Sequence, residues 1–135
     1  MSYAIKQIEG IGPVMGEKLE KVGITKVEQL LEKGATKSGR KSLAEETGID
    51  ESRILRWVNM ADLFRVKGVA EELSDLLEAA GVDTVKELRN RNAANLHAKM
   101  TEVNATKNLV WALPSLNAVE SWIEYAKTLE PIVTY

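Results

Sequence analysis

Ile8-Glu9-Gly10-Ile11-Gly12 and, 58 residues further on, Val66-Lys67-Gly68-Val69-Ala70 share one pattern: apolar, any residue, glycine, apolar, small. The register continues beyond both quintets. Leu19 falls on Leu77, Gly23 on Gly81, Ile24 on Val82, Val27 on Val85 and Leu30 on Leu88. Self-similarity at a fixed spacing marks a repeated structural unit. Each copy reads as a glycine turn, an amphipathic stretch, a second glycine and then apolar-x-x-apolar. A further match, Trp57-Val58-x-x-Ala61 with Trp122-Ile123-x-x-Ala126, sits at an offset of 65 rather than 58. The change of offset predicts about seven extra residues in the second copy, around 104–114.

Glycines and capping residues punctuate the chain, and no stretch alternates as a strand does. A first helix is expected from about Tyr3 to Glu9, ending at Gly10. Pro13 suits the first position of the next, where its missing N–H costs nothing. That helix carries Val14, Met15, Leu19 and Val22 and stops at Gly23. Thr25-Lys26-Val27-Glu28 reads as a capping box for a helix ending at Gly34. Another covers about Thr36 to Thr47, and Asp50 caps a longer one bearing Ile54, Leu55, Trp57, Val58 and Ala61. In the second copy a helix spans Ala70 to Ala80, Asp83 caps the next, and Asn92 caps one with Leu96 and Met100. A short piece is expected at Lys107 to Ala112. Ser115 or Asn117 then opens a last helix with Val119, Trp122, Ile123 and Ala126 on one face.

Isolated helices this short are marginal in water, so they must pack on one another. The expected fold is therefore all-α: a compact bundle of short helices made of two diverged repeats, residues 1–65 and 66–135, sharing one compact domain. The 135 residues suffice for that, and 44% hydrophobic with 28% charged residues argues against disorder. Without cysteine there is no disulfide or thiolate metal site, and the single His97 leaves no histidine cluster. No apolar run approaches the roughly 20 residues of a membrane helix, and no signal-peptide core is present, so cytoplasmic residence is expected. The net charge of −2 hides an asymmetry. Residues 1–67 hold 12 basic against 10 acidic side chains, and residues 68–135 hold 6 against 10. An anionic partner would favour the first half.

Ile8 to Leu19, Ile-Glu-Gly-Ile-Gly-Pro-Val-Met-Gly-Glu-Lys-Leu, resembles the helix-hairpin-helix motif of DNA repair and replication proteins, with apolar-Gly-apolar-Gly between two helices. The whole chain is similar to a family of tandem helix-hairpin-helix proteins, a domain of unknown function. The DNA-binding resemblance covers only about residues 4–23. It implies sequence-independent contact with a phosphate through hairpin amides, and carbonyls of such hairpins can also hold a monovalent cation.

The physical basis is plain. Gly10 and Gly12 permit backbone angles closed to other residues and let another backbone approach. The helix starting at Pro13 offers free N–H groups and a favourable dipole to an anion. Pro13 removes one donor, and Glu17 offsets part of the charge of Lys18. The competing reading is that a Gly-x-Gly turn simply joins two helices tightly, with Ile11 in the core. In the second hairpin Gly12 becomes Ala70, and Pro13-Val14 becomes Glu71-Glu72. Two carboxylates there suit the helix dipole and repel phosphate.

Lys37-Ser38-Gly39-Arg40-Lys41 is the densest basic cluster. It suits a phosphate backbone, with a solvated helix start as the simpler reading. It lacks the spacing and the preceding strand of a P-loop. The tryptophans could stack on bases, but Trp57 and Trp122 fall on apolar faces and read as core, whereas Trp111 lies in the inserted stretch and is the one of the three expected to be partly exposed. The carboxylates of Glu45-Glu46 and Glu71-Glu72 point to different helix faces. No nucleophile–base pair, metal set or cofactor loop can be assembled. Two readings follow. One is a non-enzymatic, weak DNA or nucleic-acid backbone binder using Gly10, Ile11, Gly12, Val14, Gly16, Lys18, Lys37, Arg40 and Lys41. The other is a protein-interaction scaffold in which both hairpins are structural. Neither implies a cofactor, a metal or a membrane.

Overall fold

The computed structural model describes residues 3–8, 10–69 and 71–135, with Glu71 described by its backbone alone. The fold is all-helical, with eight α-helices among the described residues. Two units divide the chain: Met1–Asp62 with Ile132–Tyr135, and Leu63–Pro131.

The first unit opens with a 3-10 turn, Ile5–Gln7, in place of the expected longer helix from Tyr3; the expected end of that helix, Glu9, lies outside the described residues. Extended backbone before the turn is held by a neighbouring segment. The Val27 amide donates to the Tyr3 carbonyl at 2.8 Å and the Ile5 amide to the Thr25 carbonyl at 3.1 Å. That pairing takes up backbone groups that a helix from Tyr3 would need internally. Helix α1 (Pro13–Glu20) follows, with Pro13 at its first position as expected.

Helix α2 (Val27–Gly34) is capped at Lys26, one residue later than the expected Thr25, and its box is closed by Gln29 rather than Glu28. The Gln29 amide oxygen accepts from the Thr25 and Lys26 amides at 2.8 and 3.0 Å. Helix α3 (Lys37–Thr47) is capped by the Thr36 hydroxyl, which accepts from the Gly39 amide at 3.1 Å. Such a cap contributes about 1 kcal/mol. Gly48, at φ 73°, ends the helix in the left-handed region. Helix α4 (Glu51–Leu63) brings Ile54, Trp57 and Val58 into the core. Gly34 lets α2 approach α4, and Gly39 lets α3 approach α2. A Cβ on Gly34 would strike Val58, and one on Gly39 would strike the Lys33 carbonyl.

In the second unit, α5 (Glu71–Ala79) is followed by α6 (Val85–Arg89). The cap of α6 is Thr84, not Asp83: the Glu87 amide donates to the Thr84 hydroxyl at 3.3 Å. Helix α7 (Ala93–Lys107), capped by Asn92, runs unbroken to Lys107. Asn108 then turns left-handed at φ 50°, and no helix forms over 108–115, correcting the short piece expected there. Helix α8 (Leu116–Lys127), capped by Ser115, buries Val119, Trp122, Ile123 and Ala126, the face read from sequence. It packs on α6 and α7, and α5 packs on α7.

Backbone bonding in the two units recurs at the 58-residue offset. Ile8 to Ile5, Ile11 to Ile8, Gly23 to Glu20 and Ile24 to Leu19 are amide-to-carbonyl bonds of 3.0 to 3.1 Å. Val66 to Leu63, Val69 to Val66, Gly81 to Glu78 and Val82 to Leu77 match them at 2.8 to 3.0 Å.

Candidate nucleic-acid interface

Gly10 sits at φ 96°, in the left-handed region where a side chain is strained. A Cβ there would also lie 3.2 Å from the Trp57 indole nitrogen and 3.5 Å from Arg56 Nη1. The glycine therefore serves both a turn and a close approach. Trp57 itself is buried, and the Arg53 guanidinium lies 5.3 Å above its ring.

Gly12 is different. It is the N-cap of α1 at φ −85°, a conformation open to any residue, and a Cβ added there meets nothing within 4 Å. The expectation that Gly12 supplies forbidden backbone angles is thus corrected: Gly10 does so, and Gly12 contributes open space. No side chain caps α1, and its first turn holds no acid. Val14 is largely exposed beside this opening, while Ile11 is buried. Gly16 is buried too, where it lets the Lys6 stem lie across α1. Lys6 then reaches Glu20 at 3.4 Å, and Lys21 pairs with Glu17 at 3.6 Å. Lys18 is half-buried on the same helix.

The Lys37–Lys41 cluster divides in two. Lys37 and Lys41 are exposed, but Arg40 is buried. Its Nη1 donates to the Gly34 and Ala35 carbonyls at 2.8 and 3.1 Å, and its Nη2 to the Thr134 carbonyl at 2.7 Å. The Tyr135 ring lies 5.9 Å from this guanidinium. Arg40 thus ties residues 132–135 to the α2–α3 turn, a role no local spacing announces. α1 packs on the 3-10 turn and α3 on α2. Lys37 and Arg40 line a groove of about 330 Å³ with Glu51, Ser52, Leu55 and Tyr135.

The second hairpin repeats the packing of the first. Gly68 sits at φ 94°, and a Cβ there would lie 3.1 Å from the Trp122 indole nitrogen. Ala70 and the Glu71 side chain, on which its chemical departure partly rests, lie outside the described residues; Glu72 is exposed. Sequence reasoning missed one further matched pair. Lys33 Nζ donates to the Val22 carbonyl at 2.9 Å, and Arg91 Nη2, 58 residues on, to the Gly81 carbonyl at 2.8 Å. Each cation meets carbonyls left open at a helix end. A basic residue retained at the repeat offset was the available signal.

The unit boundary also redraws the charge balance. Arg65 and Lys67 belong to the second unit, so the first holds ten basic and ten acidic residues and the second eight and ten. Among the described residues no group of three His, Asp or Glu side chains is placed to hold a metal ion, and no helix is long and apolar enough to cross a membrane.

No solved structure matches the chain. The family model described as a domain of unknown function, DUF4332, matches residues 9–129. The match takes in both glycine hairpins, both tryptophan-bearing helices and all eight α-helices among the described residues, and the chain belongs to that family.

Proposed function

We propose that the chain is a non-enzymatic module of two diverged helix-hairpin-helix repeats that binds nucleic-acid backbone weakly, without sequence preference, through the first hairpin. The observation that carries this reading is the start of α1: a bare glycine N-cap, no acid in the first turn and open space above it. Such a helix end suits one phosphate through its amides and dipole. Gly10, Gly12 and Val14 form the contact surface, with Ile11 and Gly16 positioning it from below. Lys18, Lys37 and Lys41 add charge. Arg40 drops out, since its guanidinium is engaged with three backbone carbonyls. Binding is weak because Pro13 offers no N–H and Lys6 and Lys21 already face carboxylates. The repeat reading is supported by the hydrogen bonds recurring at 58 residues.

A second reading, a protein-interaction scaffold with architectural hairpins, draws on one specific observation. Trp122 packs on Gly68 as Trp57 packs on Gly10, although the second hairpin starts its helix with acids. Fluorescence anisotropy with labelled duplex and single-stranded DNA, at about 50 and 200 mM salt, separates the two. Gly12→Glu is a clean probe because the site accepts a side chain without strain. Micromolar binding that falls steeply with salt and vanishes in the folded variant is expected. Absence of binding at low salt leaves the scaffold reading.

A further inference from the structure

Trp111 stands wholly in solvent, at 101% relative exposure, whereas Trp57 and Trp122 are at 1% and 5%. The loop beneath it is nevertheless tied down. The Asn104 amide group clasps the Val110 backbone, accepting from its N–H at 3.0 Å and donating to its carbonyl at 3.2 Å. On the far side, His97 Nε2 donates to the Pro114 carbonyl at 2.9 Å. A carbonyl only accepts, so Nε2 bears the proton. Leu109 and Val110 pack on the second unit's core, and Leu113 is partly exposed beyond the indole. An aromatic held out on a braced loop loses little freedom on docking, as binding anchors do.

Glu72 shares a surface depression with Trp111. A carboxylate there opposes phosphate and anionic lipid, which favours a protein occupant. A matching receptor exists on the chain's other unit. The groove of about 330 Å³ has Leu55 and Tyr135 beside Lys37, Arg40 and Glu51, so that its charged lining is positive by one. Arg40 is buried and held by backbone carbonyls, which leaves the exposed Lys37 to attract the face of an indole, and the groove's net positive charge complements Glu72.

We propose that Trp111 of one molecule seats in the Lys37–Tyr135 groove of a second copy of this chain. Anchor and groove are different surfaces, so the contact is head-to-tail and propagates into longer assemblies or closed rings. One aromatic brings about 150–250 Å², well under the roughly 800 Å² per partner of a stable interface. The association is therefore weak, and it does not rest on the nucleic-acid reading, with which it shares only Lys37.

Sedimentation equilibrium of the full chain from about 20 μM to about 1 mM, the range a contact this small calls for, tests it. The wild-type weight-average mass is expected to rise with concentration, while Trp111→Ala and Leu55→Glu each stay monomeric. An equimolar mixture of the two variants should form a heterodimer and grow no further, because the pair keeps one intact anchor and one intact groove. If Leu55→Glu loses its helical circular dichroism, Ser52→Phe, at an exposed position of the same groove, replaces it. A monomeric wild type, association of either variant at the wild-type level, or a mixture that stays monomeric would each overturn the proposal.

Discussion

Gly10 and Gly68 take nearly the same backbone angle, φ 96° and 94°, and each has a tryptophan indole nitrogen at the same place. The two hairpins part at the next helix start. The first presents Gly12-Pro13-Val14, and the second Ala70-Glu71-Glu72. Residues that shape the hairpin, a left-handed glycine and an indole packed on it, recur in both. Residues that decide what the helix end meets do not. Conformational and packing demands are local and strict, whereas an exposed helix start tolerates any side chain that fits the dipole. One backbone solution can thus carry a helix start without acids and a helix start with two.

The largest test of that comparison removes the indoles. Trp57→Ala and Trp122→Ala should each cost about 3–5 kcal/mol, as truncations of buried aromatics do. Urea unfolding gives the loss, and hydrogen exchange should show α1 amides exposed by the first variant and α5 amides by the second. A cost below about 1 kcal/mol for either would mean that its hairpin is not held by the tryptophan. Next come Gly10→Ala and Gly68→Ala, each expected to lose about 1–2 kcal/mol because alanine resists the left-handed region. Unequal losses in the same unfolding assay would break the equivalence of the two turns.

The smallest effect on stability sharpens the comparison most. Exchanging the helix starts, with Pro13→Glu and Val14→Glu in one variant and Glu71→Pro and Glu72→Val in another, should change stability by no more than about 0.5 kcal/mol. Anisotropy should show DNA affinity lost in the first variant and gained in the second. Retained binding in the first would remove α1 from the interface.

Much of this architecture was legible in the chain. Asn92 and Ser115 act as the caps their chemistry suggested, and the buried face of α8 follows its apolar spacing. The misreadings share a cause. The stretch from Tyr3 looks helical on its own, but its backbone bonds go to residues 25–27. Residues 108–112 lose their helix to a left-handed Asn108 and to the Asn104 clasp on Val110. The site reading suffered likewise. Arg40 counts as one more surface charge until the tail closes over it 94 residues further on.

Sequence alone determined the all-helical class, the 58-residue spacing of the glycine turns and the cores of most helices. Those depend on periodicity, capping and backbone freedom, which act over a few residues. Only the tertiary structure decided that Gly10 is a packing glycine and Gly12 an open one, that Arg40 is structural, and that Trp111 is held out on a braced loop. Each of these depends on which distant group arrives beside the residue, and the arrival of Trp57, Thr134 or His97 is set by the packing of whole helices rather than by any local pattern.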